Sequence, residues 1–391
     1  MRTIAVVTVA RSDYGIYLPL LRRLQADADV HLRLMVSGAH LSPEFGSTVQ
    51  GIEADGFPVA DRVPMLVSSD SPEGIAKSIG LGVIGFSQAF ARSRPDLLVV
   101  LGDRFEMYAA TLAALPFLIP VAHIHGGEVT MGAIDDALRH SMTKLSHLHF
   151  VSTAAYGRRV EQLGEEPWRI VVSGAPGLDN LAGLSLLSAA QLEARFGFPS
   201  EPAPLLVTFH PVTLELDQVE PQTQALLSAL EEIGRPVVFT QPNADTGGRR
   251  VGQMIAAFVA AHPFAHYVDN LGLTGYFSLM NVAAAMVGNS SSGIIEAPSF
   301  GLPVVNIGTR QTGRVKAGNV IDVAPDRAEI VNGIRQALLP EFRARLRGAA
   351  NPYGDGHASQ VIVERLKAVP LDSRLTTKRF CDVDVARGEA R

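Results

Sequence analysis

Apolar residues fall into short, nearly uninterrupted runs, and between these runs lie longer stretches with helical spacing. In the first part of the chain the alternation passes through residues 3–10, 17–25, 31–37, 72–91, 97–101, 105–114 and 120–124. Runs that are apolar on nearly every residue predict parallel strands covered by helices on both faces, because a strand with one wet face alternates instead. A doubly wound α/β domain follows. Beyond about residue 200 the rhythm resumes, through 205–209, 217–233, 236–240, 249–261, 266–268, 276–284, 286–287, 292–298 and 303–307, which predicts a second domain of the same class. Residues 181–197 are predicted helical, and 198–204, rich in proline and small residues, suit a crossover. A last helix is expected over 358–369, before a polar tail. The predicted domains are 1–180 and 181–369, with 370–391 as a tail that either packs on the first or is loosely held.

Composition narrows the function. The 391 residues are 47% hydrophobic and 19% charged, enough for two cores. A formal net charge of -5 argues against a nucleic-acid surface and leaves a small anionic partner. One cysteine, Cys381, makes neither an internal disulfide nor a cysteine-rich metal site, which fits a reducing compartment. The apolar runs at 3–10 and 112–121 are too short to cross a bilayer, and the second holds Pro116 and Pro120. A cytoplasmic chain without a membrane partner is expected.

Polar residues at predicted strand ends are the candidates for chemistry, because open α/β sheets bind ligands at their carboxyl edge. Arg11, after the first strand, either pairs with Asp13 on the surface or reaches an anionic ligand, and Gly15 permits the turn into the next helix. Asp103, just beyond 97–101, either caps a helix or serves as a catalytic carboxylate. Arg104 offsets acid or contacts phosphate, and Glu106 suits the first helical turn. The next strand ends in His123-Ile124-His125-Gly126-Gly127-Glu128. Two histidines and a glutamate suggest a metal, but an extended segment gives a metal one face and the sequence spells out no third close ligand, so an acid/base cluster is expected instead. Asp135 and Arg139, like Asp136 and His140, are four apart on one helical face and form stabilising pairs unless Asp135 turns to the site. His210, ending the run 205–209, is either a capped histidine or a base or acid with proton affinity near neutrality. In GNSSSG at 288–293, Ser290, Ser291 and Ser292 are either helix caps or, with exposed N–H groups, a diphosphate cradle; Glu296 would accept ribose hydroxyls and Arg314 would clamp the diphosphate. The lysine of a P-loop and a GxGxxG dinucleotide loop are both missing.

Taken in order, ARSDYG at 10–15, GDRFEM at 102–107, HIHGGE at 123–128, GAIDDALRH at 132–140, SHLHF at 146–150, GAPGLDN at 174–180, TFHP at 208–211 and the segment 288–314 resemble the hydrolysing UDP-N-acetylglucosamine 2-epimerases of the bacterial sialic-acid and nonulosonic-acid branch. The resemblance runs over nearly the whole chain. It implies two Rossmann-like domains facing a central cleft, the glycosyltransferase-B-like arrangement, and a UDP-linked 2-acetamido sugar as substrate. The UDP is then held by Ser290, Ser291, Ser292, Glu296, Arg314 and His210, with Asn243 and Arg104 as further contacts and Arg11 reaching across. Asp103, Asp135 and His210 match acidic and histidine positions of elimination and readdition. His125 stands where the broader family commonly has glutamate, with Glu128 three residues on, which leaves open which of the cluster removes the C2 proton.

Loss of UDP from C1 with removal of the C2 proton gives a glycal, and water with a proton from the other face of C2 gives the manno sugar. One base cannot serve both faces, so Asp103 is the candidate for C2 proton transfer, Asp135 and Glu128 share proton delivery, and His210 protonates the leaving phosphate oxygen or assists water. UDP-N-acetylglucosamine is the expected substrate, with UDP-N,N'-diacetylbacillosamine the alternative and a glycosyltransferase of the same fold the competing class. No redox cofactor and no metal are expected, and a homodimer is, from the resemblance and from the apolar segment at 74–90, which an internal core helix explains nearly as well.

Overall fold

The structure, a computed structural model, describes residues 1–67, 71–130, 134–212, 215–240 and 248–382. Two compact units divide the chain. The first takes residues up to Glu128, Ile134–Asn180 and the chain from Gly356 on, and the second is formed mainly by Leu181–Asp355.

Seven described strands build the first unit: β1 (Arg2–Thr8), β2 (Val30–Ser37), β3 (Val59–Val63), β4 (Leu97–Leu101), β5 (Val121–Ile124), β6 (Leu148–Val151) and β7 (Ile170–Val172), all parallel, in the order β3-β2-β1-β4-β5-β6-β7. The second unit has β8 (Leu205–Thr208), β9 (Val237–Thr240), β10 (Ala265–Val268), β11 (Ala285–Gly288), β12 (Val304–Ile307) and β13 (Val320–Val323), parallel, in the order β10-β9-β8-β11-β12-β13. Central strands β4, β8 and β11 are buried along their whole length, as their unbroken apolar sequences require. The fold is the glycosyltransferase-B-like pair of Rossmann-like units.

Each sheet reverses its strand order once, between β1 and β4 in the first unit and between β8 and β11 in the second. At such a switch point the connections leave in opposite directions, and a crevice opens beyond the carboxyl ends of the two strands. The sequences placed there are VARSD, GDRFE, FHP and NSSSG.

Helix Pro72–Arg92 carries one predicted feature and adds another. Ser71 caps it by accepting from the Gly74 N–H at 3.1 Å, with Pro72 in the first turn. By length and composition it is apolar enough to cross a membrane, yet Phe86, Ala89 and Phe90 are fully buried in the first core while Leu81 and Ile84 face outward.

Three expectations are revised. The boundary predicted at 369 lies at Asp355/Gly356, because helix Ala358–Ala368 buries Ile362, Val363 and Leu366 in the first core, each worth about 2 kcal/mol. Asp179, of the GLDN motif, caps that helix by accepting from the Ala358 and Ser359 N–H groups at 2.9 and 2.6 Å. Over 181–197 only Ala189–Phe196 is helical, begun by the Ser188 capping box and ended by left-handed Gly197. Gly15 lies inside helix Arg11–Ala26 rather than in a turn.

The described chain beyond 370, up to residue 382, is stapled to the first unit. Arg169, fully buried, donates to the Leu375, Arg374 and Thr377 carbonyls at 2.8, 2.9 and 3.1 Å. Lys378 meets Glu165 at 2.7 Å, alongside Lys144 and His149. These partners hold the buried Glu165 carboxyl down at about 2 against the upward push of burial, and burial lowers Lys378 to about 8.

Candidate active site

In the first unit the crevice is built on charge. Asp13 does not pair with Arg11: it accepts from the Val9 and Ala10 N–H groups at 2.8 and 2.7 Å and fixes the turn after β1. Burial pushes its carboxyl up to about 6. Arg11 is left exposed as the first residue of helix Arg11–Ala26, where the helix dipole disfavours a cation, so its position serves something other than the helix. Glu106, fully buried, grips Arg104 through Nε and Nη2 at 3.2 and 3.0 Å, while the Arg104 side chain stays 44% exposed. A planar cation is thereby aimed and left accessible. Glu106 thus does more than answer the helix dipole.

Asp103 follows Gly102, which adopts φ +74°. The predicted Asp135–Arg139 pairing gives way: Arg139 donates from Nη2 to Asp103, and its Nη1 lies 4.0 Å from Asp136. Asp136 and His140 do approach, at 3.5 Å. Asp135 is half-buried, and its carboxyl is raised first by burial and then by the charge of Asp103. Two carboxylates therefore share a neighbourhood, one salt-bridged and one tuned toward neutrality, the combination acid/base chemistry uses.

His123 and His125 part company. His123 is fully buried, donates from Nε2 to the Gly102 carbonyl at 2.7 Å and lies 3.2 Å from the Thr143 hydroxyl. Burial holds its proton affinity down at about 3, so it is a neutral strut under the Asp103 turn. His125 takes φ +65°, a conformation costing a non-glycine residue on the order of 1–3 kcal/mol. Its Nδ1 is 2.6 Å from Glu128 Oε1, and Ser152 touches both.

In the second unit Asn289 is the organiser. Its side-chain amide accepts from the His210 N–H at 2.7 Å and donates to the His210 carbonyl at 2.8 Å, tying the ends of β8 and β11 together. Gln311 and Arg310, in the turn after β12, donate to the Asn289 carbonyl at 2.8 and 3.2 Å. Arg314 closes that same turn. Gly288, at φ +136°, crosses Thr208 so closely that an added Cβ would lie 1.9 Å from the Thr208 carbonyl oxygen. His210 is 6% exposed, and burial with the Arg310 charge lowers it to about 3. The expectation of proton affinity near neutrality is therefore corrected: its ring is neutral.

Ser290, Ser291 and Ser292 are half-buried, and the Ser290 hydroxyl accepts from the Ser292 N–H at 3.3 Å. The helix they open, Ser292–Ile295, has only four residues before a 3-10 turn at Ala297–Phe300, so hydroxyls and local N–H groups supply the polarity more than a helix dipole does. The Tyr276 hydroxyl lies beside Ser292, Thr208 and Ser290, and burial raises it to about 12. Glu296 is half-buried beside it. Asn243 lies outside the described residues. Asp13, Tyr276, Asn289 and Ser152 are the site residues that strand-end reading missed; only the change from apolar to polar at each strand end marked Ser152 and Asn289.

A model of the UDP-N-acetylglucosamine 2-epimerase family matches residues 22–367. The chain is 37% identical over 379 residues, 97% of its length and 99% of the relative's, to the UDP-N,N'-diacetylbacillosamine 2-epimerase (hydrolyzing) of Legionella pneumophila. It is 39% identical over 323 residues, 82% of its length and 84% of the relative's, to the GDP/UDP-N,N'-diacetylbacillosamine 2-epimerase (hydrolyzing) of Campylobacter jejuni. Among solved structures, a UDP-GlcNAc 2-epimerase from Neisseria meningitidis bound to UDP-GlcNAc matches with a TM-score of 0.81 at 20% identity, over 93% of this chain and 99% of that one. That likeness is one of fold.

Proposed function

We propose, from the premise that the chain belongs to the UDP-N-acetylglucosamine 2-epimerase family, that it hydrolyses UDP-N,N'-diacetylbacillosamine with inversion at C2, giving 2,4-diacetamido-2,4,6-trideoxymannose and UDP. The identities of 37% and 39% to enzymes named for diacetylbacillosamine favour this substrate over the N-acetylglucosamine expected from motifs alone.

The observation that carries the chemistry is the pairing of carboxylates in the first unit. Asp103, paired with Arg139, suits removal of the C2 proton as the C1–oxygen bond breaks and UDP departs. Asp135, raised by burial and by Asp103, suits protonation of the glycal C2 from the other face as water adds at C1. The proton count closes: one leaves C2 to Asp103, one returns to C2 from Asp135, and the water that supplies the C1 hydroxyl gives up its second proton, which offsets the one the released UDP takes. The neutral ring of His210 suits assistance to the attacking water better than protonation of the leaving group. Binding of the nucleotide diphosphate belongs in this reading to Ser290, Ser291, Ser292 and Arg314, with Glu296 on the ribose, and Arg11 and Arg104 as cations for the anionic substrate.

The test is a comparison of kcat/KM for the two UDP-sugars. At least about a tenfold preference for UDP-N,N'-diacetylbacillosamine is expected, the worth of one or two well-placed polar contacts. Preference for UDP-N-acetylglucosamine would return the chain to the sialic-acid reading.

A further inference from the structure

The end of β6 brings Ser152 against a histidine and a carboxylate that follow β5. The His125 Nδ1 to Glu128 Oε1 distance is 2.6 Å, and the Ser152 hydroxyl lies 2.9 Å from each of those atoms. His125, Glu128 and Ser152 are 9%, 3% and 2% exposed, so the three satisfy one another out of reach of bulk water.

Donor and acceptor capacity then fixes where the protons are. An ionised carboxylate only accepts, so Nδ1 carries a proton toward Oε1, and the Ser152 hydroxyl donates to that same oxygen while its lone pairs face Nδ1. Hydroxyl and carboxylate both meet one ring nitrogen. A nucleophilic serine would need the hydroxyl on one nitrogen and the carboxylate on the other, so this is not a covalent-catalysis triad. What the arrangement does is select a tautomer: Nε2 keeps the lone pair, and it makes no hydrogen bond to any described residue.

We infer that Ser152 is a positioning residue for the epimerase reaction, holding His125 as the Nδ1-protonated tautomer so that Nε2 is the atom that takes the proton given up by the water adding at C1, while Asp103 and Asp135 handle the C2 protons and Glu128 is the ionised partner of His125. The inference rests on the 2-epimerase reading above. It gives the histidine that stands in a glutamate's usual place the same competence, a proton acceptor of fixed direction. The backbone makes the same point, because His125 is held at φ +65°. When Nε2 gains a proton, the imidazolium finds Glu128 already in contact, and the Ser152 hydroxyl keeps that carboxylate from reclaiming the Nδ1 proton.

The experiment combines imidazole ¹⁵N NMR of the whole protein with turnover in deuterium oxide for wild type, Ser152→Ala and Ser152→Thr. The wild-type spectrum is expected to report His125 protonated at Nδ1. Ser152→Ala is expected to mix the tautomers and lower kcat about tenfold with KM changed less than about twofold, and Ser152→Thr, which keeps the hydroxyl, to recover most of kcat. An Nε2-protonated His125 in the wild-type protein overturns the inference whether or not the alanine variant folds. So does an alanine variant with wild-type kcat and tautomer while the wild type places deuterium at C2. A wild type that releases UDP without C2 deuterium fails earlier, at the epimerase reading itself, and removes the basis of the inference.

Discussion

Asp103 and Arg139 show how the site allocates charge. Helical spacing assigns Arg139 to Asp135, but a buried guanidinium takes whichever carboxylate completes its geometry, and the turn after β4 brings Asp103 to it. Spacing along one helix cannot see a competing turn from another element, so this pairing was illegible in sequence while the residues themselves were not. Ser152 and Tyr276 were missed for a related reason: a hydroxyl at a strand end or on a helix has local explanations, and its other partners appear only once the sheet order is known. With the Asp103 carboxylate as the base at C2, Asp103→Asn should lower kcat by at least about 100-fold. The same change weakens the Arg139 ion pair and leaves Asp136, at 4.0 Å, as a second carboxylate, at a cost of about 1–3 kcal/mol in unfolding free energy. Steady-state UDP release beside a urea titration separates the two effects, and full turnover would remove Asp103 from the reaction.

At the scale of elements, the central strands were legible and most of the edges were not. β3 (VADRV), β7 and β13 lie at sheet edges, where one side is solvated and charged or partly exposed residues break the apolar run. β6 is interior but carries His149, buried against Glu165, a polar residue that a strand tolerates only because of that partner. The same neighbourhood anchors the C-terminal segment. Arg169→Ala would leave the carbonyls of Arg374, Leu375 and Thr377 without their donor and Glu166 without its cation. A loss of about 3 kcal/mol or more in the first unit is expected, together with protease cleavage between 370 and 382, which the wild type should resist. An unchanged melting temperature with an intact segment would show that the staple contributes nothing.

For the molecule as a whole, the repeated alternation of strands and helices made both units and their class legible, whereas the return of the chain at Gly356 was not, because an amphipathic helix has the same pattern whichever sheet it covers. The substrate was legible as a UDP-sugar but not in its 4-substituent, which no strand-end motif encodes. Buried histidines set the pH response. Burial holds His40 and His147 near 4 and His123 and His210 near 3, below the ordinary value of about 6.5. The unfolded chain therefore binds more protons below pH 6.5, and stability falls as pH drops from 6.5 toward 3–4, by up to roughly 1.4 kcal/mol per histidine per pH unit. Asp13, raised to about 6, and Asp135, also raised, work in the opposite sense, but they are two groups against these four histidines, with His140 and His149 lowered as well. Unfolding midpoints in urea should thus be lower at pH 5 than at pH 7.5, more so for the first unit, which holds three of the four; a flat profile would mean these rings are not neutral in the folded state.

The central claim is that UDP leaves by elimination, with proton exchange at C2. Its most direct test is ¹H NMR of UDP-N,N'-diacetylbacillosamine turnover in deuterium oxide. A released manno-configured sugar carrying deuterium at C2, formed in step with UDP, is the predicted result; UDP release with the original C2 proton and configuration retained would contradict it and point to plain hydrolysis or transfer.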